Sequence, residues 1–293
     1  FFDGFRTSHE INKVKEVDLS RLEPLIDKKA LRNFKERALN NENPNTRGTA
    51  ENDDVYFQNT EVRNKYYDNA IDIVEDYMNK VNRITKKDYK PFNYYGSITA
   101  NEVIVAMGSV CECIEETIDK LNTLGYNVGL IKVHLYRPFS INHLLKVLPK
   151  TVTKVAVLDR TKEAGSSGEP LYLDVLSALK DTNIKVIGGR YGLSSKNTTP
   201  SMIKAVYDNL KTNMKNNFTI GITDDVTNLS LEVDSTFKLD NDNYQILIYG
   251  YGSDGMVSTS KDILKIIGDT TSKYVQGYFQ YDSKKSGGVT RSH

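Results

Sequence analysis

The chain has 293 residues, of which 39% are hydrophobic and 26% charged, a balance typical of a globular protein with one large or two ordinary domains. Its 39 Lys and Arg residues nearly cancel its 38 Asp and Glu residues, which removes the electrostatic argument for a nucleic acid or an anionic membrane as main partner. No apolar run approaches the ~20 residues that a membrane span requires.

The first ten residues, FFDGFRTSHE, contain neither the charged nor the apolar region of a signal peptide, and they resemble the interior of a longer sequence. Residues 22–95 carry two helical stretches, Lys29–Ala38 and Val62–Ile84, separated by the polar turn cluster at residues 40–45. We interpret this part as a connection between domains that packs on its neighbours.

Four strand–helix repeats follow, with strands rich in Val, Ile and Leu. The predicted strands are residues 102–108, 128–135, 152–158 and 184–187, and the predicted helices are residues 110–124, 141–148, 169–180 and 200–210. Gly125 is the expected left-handed residue after the first of these helices. The alternation predicts an α/β fold with a doubly wound parallel sheet, whose working residues lie on loops beyond the carboxyl ends of the strands.

Few side chains in these repeats form a catalytic or metal-binding pattern. The charged loop Asp159–Glu163 has groups suited to acid–base work, but neighbouring opposite charges at a strand end more often form an ion-pair cluster, which is the interpretation we favour. Cys111 and Cys113 are too close for an easy mutual disulfide and lack a second pair, so they predict reduced, packed thiols and no metal site.

The last part of the chain contains the clearest binding pattern. Residues 216–242 are polar and predict a linker, and Tyr244–Tyr249 predicts a buried strand. The sequence Gly250–Gly255 (GYGSDG) follows, and residues 256–267 have helical spacing. Three glycines allow a tight turn that brings backbone N–H groups and a helix N-terminus to an anion, so the pattern predicts a phosphate-binding turn.

The ligand of this turn has two interpretations. The next predicted strand, residues 273–281, is followed by Asp282, which completes a dinucleotide fingerprint and indicates a fragment of an NAD(P)-dependent dehydrogenase. Lys284 and Lys285 follow Asp282 after one intervening residue and favour a more heavily phosphorylated ligand. A scaffold domain without catalysis is a third hypothesis. Because one strand–helix–strand unit cannot supply a whole sheet, we expect the protein to continue beyond this sequence.

Seven motifs in one order give the chain a resemblance to pyruvate:ferredoxin (flavodoxin) oxidoreductases over essentially its whole length. They are FFDGFRTSHE (1–10), RGTAEN (47–52), LYRPFS (135–140), LDRTKE (158–163), GEPLY (168–172), GGRYGLSSK (188–196) and YDSKKSGG (281–288). The resemblance implies the end of a pyrimidine-binding thiamine domain at residues 1–58, a transketolase C-terminal-like domain at residues 59–236, and the start of a further α/β domain, which closes over coenzyme A, at residues 237–293.

The resemblance also implies an activity. It is the oxidative decarboxylation of pyruvate to acetyl-CoA and carbon dioxide, with electrons passing through iron–sulfur clusters to ferredoxin or flavodoxin. Thiamine diphosphate, magnesium and 4Fe–4S clusters would have their ligands outside this chain, which is then expected to be inactive alone. A homodimer in the cytoplasm, or in the matrix of a hydrogenosome-like organelle, is also implied.

The resemblance places coenzyme A at the glycine turn. Gly252, Ser253, Asp254, Gly255 and Met256 match the family's loop that faces coenzyme A. Lys284 and Lys285 join this predicted site on the basis of their charge and position. The sequence assigns no catalytic residue.

Overall fold

The computed structural model describes Gly4, residues 9–42, Pro44, Gly48, residues 50–240 and residues 243–281, together with the backbone of residues 290–292. The helices of this described part are α1 (Lys28–Glu36), α2 (Tyr56–Val62), α3 (Asn64–Thr85), α4 (Val110–Thr123), α5 (Ile141–Val147), α6 (Pro170–Leu179), α7 (Pro200–Lys211) and α8 (Met256–Thr270). The strands are β1 (Glu10–Asn12), β2 (Phe92–Gly96), β3 (Glu102–Ala106), β4 (Val128–Val133), β5 (Lys154–Asp159), β6 (Lys185–Arg190), β7 (Phe218–Thr219), β8 (Ile248–Gly250), β9 (Gln276–Gln280) and β10 (Thr290–Ser292).

The chain divides into two compact units. The helical unit comprises residues 16–93 and 133–147, and the sheet unit comprises residues 1–15, 94–132 and 148–293. The helical unit contains α1, α2, α3 and α5, and the sheet unit contains the other helices.

The six-stranded sheet confirms the predicted α/β fold. Its strand order is β2-β4-β3-β5-β6-β7, and the pairs from β4 to β7 are parallel. Every residue of β3 is buried, because β3 lies in the sheet interior between β4 and β5. The chain runs from β3 to β4 on one side and then to β5 and β6 on the other, so the strand order reverses between β3 and β5.

Helices cover this sheet and complete its core. Helix α4 contributes Ile114 and Ile118 to a buried cluster that also contains Ile104 of β3 and Val206 and Leu210 of α7. Helix α6 packs against β5 and β6 and buries four of its ten residues. The left-handed Gly125 (φ +83°) follows α4, which confirms the predicted end of that helix.

The predicted linker at residues 216–242 is partly wrong, because its first residues form β7. Phe218 is fully buried and lies in β7, which pairs in parallel with β6. Its ring packs where Gly189 has no side chain, since a Cβ on Gly189 would lie 2.1 Å from the Phe218 Cζ atom. A composition average over this polar stretch hides the short apolar run that ends at Ile220, which is also buried.

A second sheet of four strands has the order β1-β9-β10-β8, with antiparallel neighbours. Strand β8 is shorter than predicted, and the predicted burial of residues 244–249 is wrong: Tyr244 is 92% exposed and only Gly250 of β8 is buried. Among the described strands, β8 pairs with β10 alone, so one of its edges is open. Helix α8 confirms the predicted helix and extends it to Thr270.

The helical unit has few buried residues. Helices α1, α2 and α3, all of whose residues are described, contain none. The buried side chains that this unit does have include Phe92, which makes an edge-to-face contact with Phe139 at 5.5 Å between ring centroids. In the described part of the chain, no helix has both the length and the apolar character that crossing a membrane requires.

Candidate functional site

The Gly250 turn has the strained backbone that its glycines predicted. Gly252 and Gly255 have φ values of +85° and +79°, and Ser253 between them has φ +55°, in the left-handed region that a residue with a Cβ rarely adopts. Gly255 immediately precedes the 15-residue helix α8. The N–H groups in the first turn of this helix face the glycine turn. Strand, turn and helix therefore occur in the predicted order.

The carboxylate of Asp254 already occupies the anion position of this turn. Its Oδ2 atom accepts the Tyr251 N–H at 2.6 Å and its Oδ1 atom accepts the Met256 N–H at 3.1 Å. Both backbone donors lower the pKa of Asp254, and the Met256 N–H has the larger effect. A Cβ on Gly250 would lie 3.0 Å from Oδ2, so the missing side chain at Gly250 leaves room for the carboxylate. A phosphate at these two N–H groups would have to displace Asp254.

The sheet around the turn does not have dinucleotide-binding topology. In that topology the two strands joined by the helix are parallel neighbours. Here β10 lies between β8 and β9 and is antiparallel to both. The NAD(P) interpretation is therefore not favoured. Asp282, Lys284 and Lys285 lie outside the described residues, so the predicted lysine part of the site stays a prediction.

A second concave site lies at the carboxyl ends of the parallel strands, where the strand order reverses. A cavity of about 230 Å³ is bordered by the loops after β3, β5 and β6 and by residues of β1 and β9. Its charged lining residues are Glu10, Glu112, Glu116, Arg160 and Lys196. The sequence predicted these loops as the working edge of the sheet, but the mixture of carboxylates and cations selects no ligand class.

In the charged loop after β5, Asp159 and Arg160 bond backbone groups, and the predicted ion-pair cluster stays a prediction. Asp159 is 6% exposed, and its two oxygens accept the N–H groups of Leu171 and Tyr172 at 3.0 Å each, in the first turn of α6. Burial raises the pKa of Asp159, while the two N–H donors lower it. Arg160 donates through Nε to the Gly192 carbonyl oxygen at 3.0 Å. The Asp159 bonds therefore join the end of β5 to α6, and the Arg160 bond joins the loops after β5 and β6.

A buried ion pair adjoins this loop. The Arg190 Nη1 atom lies 3.4 Å from Glu169 Oε1, with side chains 10% and 2% exposed. Arg190 also donates to the Asn217 carbonyl oxygen at 2.8 Å. This pair could not be predicted from the sequence, because the two residues are 21 positions apart and no local pattern joins them.

The cysteines and histidines form no metal centre among the described residues, where no group of three or more His, Cys, Asp or Glu side chains could hold an ion. Burial raises the pKa of Cys111 to about 12, so its thiol stays protonated at neutral pH. The Ser140 hydroxyl and His143 Nδ1 are 2.7 Å apart, and Ser140 Oγ also accepts the His143 N–H at 3.4 Å. This is a helix N-cap, and the Ser-x-x-His spacing at the start of α5 was its only sequence signal.

Three family models match the chain in succession. "Pyruvate flavodoxin/ferredoxin oxidoreductase, thiamine diP-bdg" matches residues 1–79, "Pyruvate:ferredoxin oxidoreductase core domain II" matches residues 100–203, and "Pyruvate ferredoxin/flavodoxin oxidoreductase" matches residues 245–293. The chain is also 54% identical, over 100% of its own length, to the pyruvate:ferredoxin oxidoreductase of Moorella thermoacetica. The chain belongs to the pyruvate:ferredoxin/flavodoxin oxidoreductase family.

Other members of this family show similar identity. The pyruvate-flavodoxin oxidoreductase of Enterobacter agglomerans is 50% identical and the probable one of Escherichia coli is 49% identical, each over 100% of this chain. The chain spans about a quarter of the length of these relatives (25–26%). A solved 2-oxoglutarate:ferredoxin oxidoreductase from Magnetococcus marinus matches 55% of this chain and 24% of that one at 19% identity, with a TM-score of 0.34, which is too low to support an argument.

Proposed function

We propose that this chain is part of a longer enzyme that converts pyruvate and coenzyme A to acetyl-CoA, carbon dioxide, a proton and two electrons. The electrons leave through iron–sulfur clusters to ferredoxin or flavodoxin. The observation that supports this most is identity near 50% along the whole chain to several pyruvate:ferredoxin and pyruvate-flavodoxin oxidoreductases. Three models of the same family, matched in succession, support it further.

The redox and thiamine cofactors of this reaction would be held elsewhere in the longer polypeptide. Thiamine diphosphate, when bound, supplies the carbanion stabilisation that decarboxylation needs. The matched thiamine-binding region includes α1 and α2, which bury no residue and offer no enclosed polar cradle for a diphosphate. The two cysteines of the sequence are too few for a 4Fe–4S cluster. We therefore place the ligands of thiamine diphosphate, magnesium and the clusters outside this chain.

The role of this chain's own residues would be to receive coenzyme A. We propose that Gly252, Ser253, Asp254, Gly255 and Met256 face its phosphate-bearing part, with Lys284 and Lys285 supplying positive charge. A turn at the N-terminus of the 15-residue α8 supports this placement. Since the Asp254 carboxylate accepts two of the turn's N–H groups, the phosphate would have to displace it in order to bind them.

We also propose a domain division. The thiamine domain would end at residue 58, the transketolase C-terminal-like domain would span residues 59–236, and the coenzyme A domain would begin at residue 237. The parallel sheet lies within the second of these ranges and supports its α/β character. The full-length enzyme would be a cytoplasmic or organelle-matrix homodimer.

The test of this function is an assay of the full-length protein. We expect pyruvate to reduce ferredoxin or flavodoxin only when coenzyme A is present for turnover, with one acetyl-CoA formed per two electrons. 2-Oxoglutarate at equal concentration is the matched control substrate. Faster turnover with 2-oxoglutarate, or reduction of NAD(P)⁺ instead of the protein acceptor, would contradict the proposal.

A further inference from the structure

Helix α3 carries an apolar stripe that is open to solvent. Tyr66, Ala70, Ile73 and Tyr77 are spaced by four, three and four residues, which places them on one side of the helix (the α3 stripe). Tyr66 is 65% exposed, Ile73 56% and Tyr77 39%. Large apolar side chains at this density on one helix face indicate a surface that another element covers.

A groove beside the stripe enlarges this surface. Its volume is about 480 Å³, and it is lined by α3 side chains, including Ile73 and Tyr77, together with Tyr89 and His134. All of these residues belong to the helical unit. The Lys80 ammonium lies 4.5 Å from the centre of the Tyr77 ring, so a cation borders the apolar surface at one end.

The helix itself needs a partner. A helix in water gains most of its stability from packing an apolar face, not from helix propensity. Helix α3 has 22 residues and buries none of them fully. A stripe with four–three–four spacing is the pattern by which one helix packs along another.

We propose that the α3 stripe docks an amphipathic helix from a part of the same polypeptide that lies outside this chain. This inference rests on the proposed function only in requiring the longer polypeptide. The chain spans 25% of the length of its Moorella relative, so three quarters of such a protein is available to supply the helix. The stripe follows the domain boundary proposed at residue 58, yet it lies within the residues that the thiamine-binding family model matches (1–79). Elements of the thiamine domain that lie outside this chain are therefore available to bury its apolar face.

The same polypeptide is a better occupant than a second copy of this chain. A segment joined through the polypeptide has an effective concentration on the order of 1 mM, far above that of a separate molecule. The tyrosine hydroxyls of Tyr66 and Tyr77 also fit an amphipathic partner, whose polar edge would satisfy them.

Site-specific photo-cross-linking of the full-length protein tests this proposal. Tyr77→p-benzoylphenylalanine keeps an aromatic side chain in the stripe, and Asn79→p-benzoylphenylalanine is the control on the exposed opposite side of α3. We expect position 77 alone to cross-link, to a helix beyond this chain, and the product to run as a single polypeptide on a denaturing gel. A product of doubled mass would identify a second copy as the occupant and overturn the proposal. Equal, low cross-linking at both positions would also overturn it.

A second pair of variants covers the case in which the bulky photoprobe prevents docking. Ile73→Asp should speed amide exchange of residues 66–77 by about tenfold or more relative to Asn79→Asp. The oligomeric state should be the same in both variants. Equal exchange in the two variants would overturn the inference. Pyruvate oxidation by the unaltered protein is measured separately. An inactive protein that still cross-links from position 77 contradicts the proposed function alone, and an active protein that does not cross-link contradicts the docking inference alone.

Discussion

Helices α3 and α4 show how differently the two units of this chain are stabilised. Helix α4 has 14 residues and buries six of them against the parallel sheet, whereas α3 has 22 residues and buries none. Both helices have apolar residues at helical spacing, so periodicity alone does not distinguish them. The sheet unit therefore has its own core, while the helical unit exposes apolar surface that a partner could cover.

Replacing a buried phenylalanine should destabilise the chain far more than replacing an exposed one. Phe218→Ala in β7 removes a fully buried ring, and we expect a loss of about 3–5 kcal/mol in the free energy of unfolding of this chain. Phe34→Ala in α1 removes a ring that is 65% exposed, and should cost less than about 0.5 kcal/mol. Since the chain has no tryptophan, urea unfolding is followed by circular dichroism. Equal losses would contradict the contrast between the units.

Breaking a buried ion pair and breaking an exposed one should also lower the free energy of unfolding by different amounts. Arg190→Met leaves Glu169 buried without its cation, so we expect a loss of about 3–5 kcal/mol. Lys28→Met breaks the pair with Glu23, whose side chains are 70% and 62% exposed, and should cost less than about 1 kcal/mol. The double variant Arg190→Met, Glu169→Leu should recover part of the first loss. A double variant less stable than Arg190→Met would show that burial of charge is not the cause.

Two helix-capping carboxylates give a smaller contrast. Asp159→Ala leaves two buried N–H groups of α6 without an acceptor, and we expect a loss of about 1–3 kcal/mol. Asp27→Ala removes the exposed cap of α1, which accepts the Ala30 N–H at 2.8 Å, and should cost no more than about 1 kcal/mol. Urea unfolding measures both losses, and a larger loss for Asp27→Ala would reverse the ranking.

A change at Asp254, which caps α8, should affect stability least of these variants. Its main effect should be on the binding of coenzyme A. Asp254→Asn keeps the size of the side chain and one oxygen acceptor but removes the negative charge beside Tyr251 and Met256. If a phosphate enters this turn, the apparent KM for coenzyme A of the full-length enzyme should fall, because like charges no longer repel. A higher KM would show that the Asp254 carboxylate attracts the ligand and does not compete with it.

Much of the sheet unit could be predicted because its strands are continuous apolar runs and its helices end at recognisable residues. Strand β3 and the Gly125 end of α4 are examples. Strand β7 could not, because a strand of two residues leaves too short a signal in a polar stretch. The exposure of Tyr244 was missed because apolar composition predicts a strand but not whether other elements cover it.

The candidate site was predictable to the same limited extent. Glycine spacing predicted the turn at residues 250–255 and the helix after it. The sequence did not reveal that Asp254 fills the anion position, because an Asp among glycines is equally typical of a ligand contact and of a cap. The position of the cavity was predictable, because the loops after β3, β5 and β6 border it. The mixture of carboxylates and cations that line it was not predictable.

The assignment of coenzyme A to the Gly250 turn is tested by measuring the two half-reactions of the full-length enzyme separately. Gly252→Val puts a β-branched side chain at a left-handed position in the turn, and Gly165→Val is the matched control, since Gly165 has φ +81° in a different loop. We predict that Gly252→Val raises the apparent KM for coenzyme A by about tenfold or more, as Lys284→Ala with Lys285→Ala also should, while pyruvate still reduces the clusters before coenzyme A is added. Gly165→Val should change neither quantity. A raised KM for pyruvate with an unchanged KM for coenzyme A would contradict the assignment of this turn.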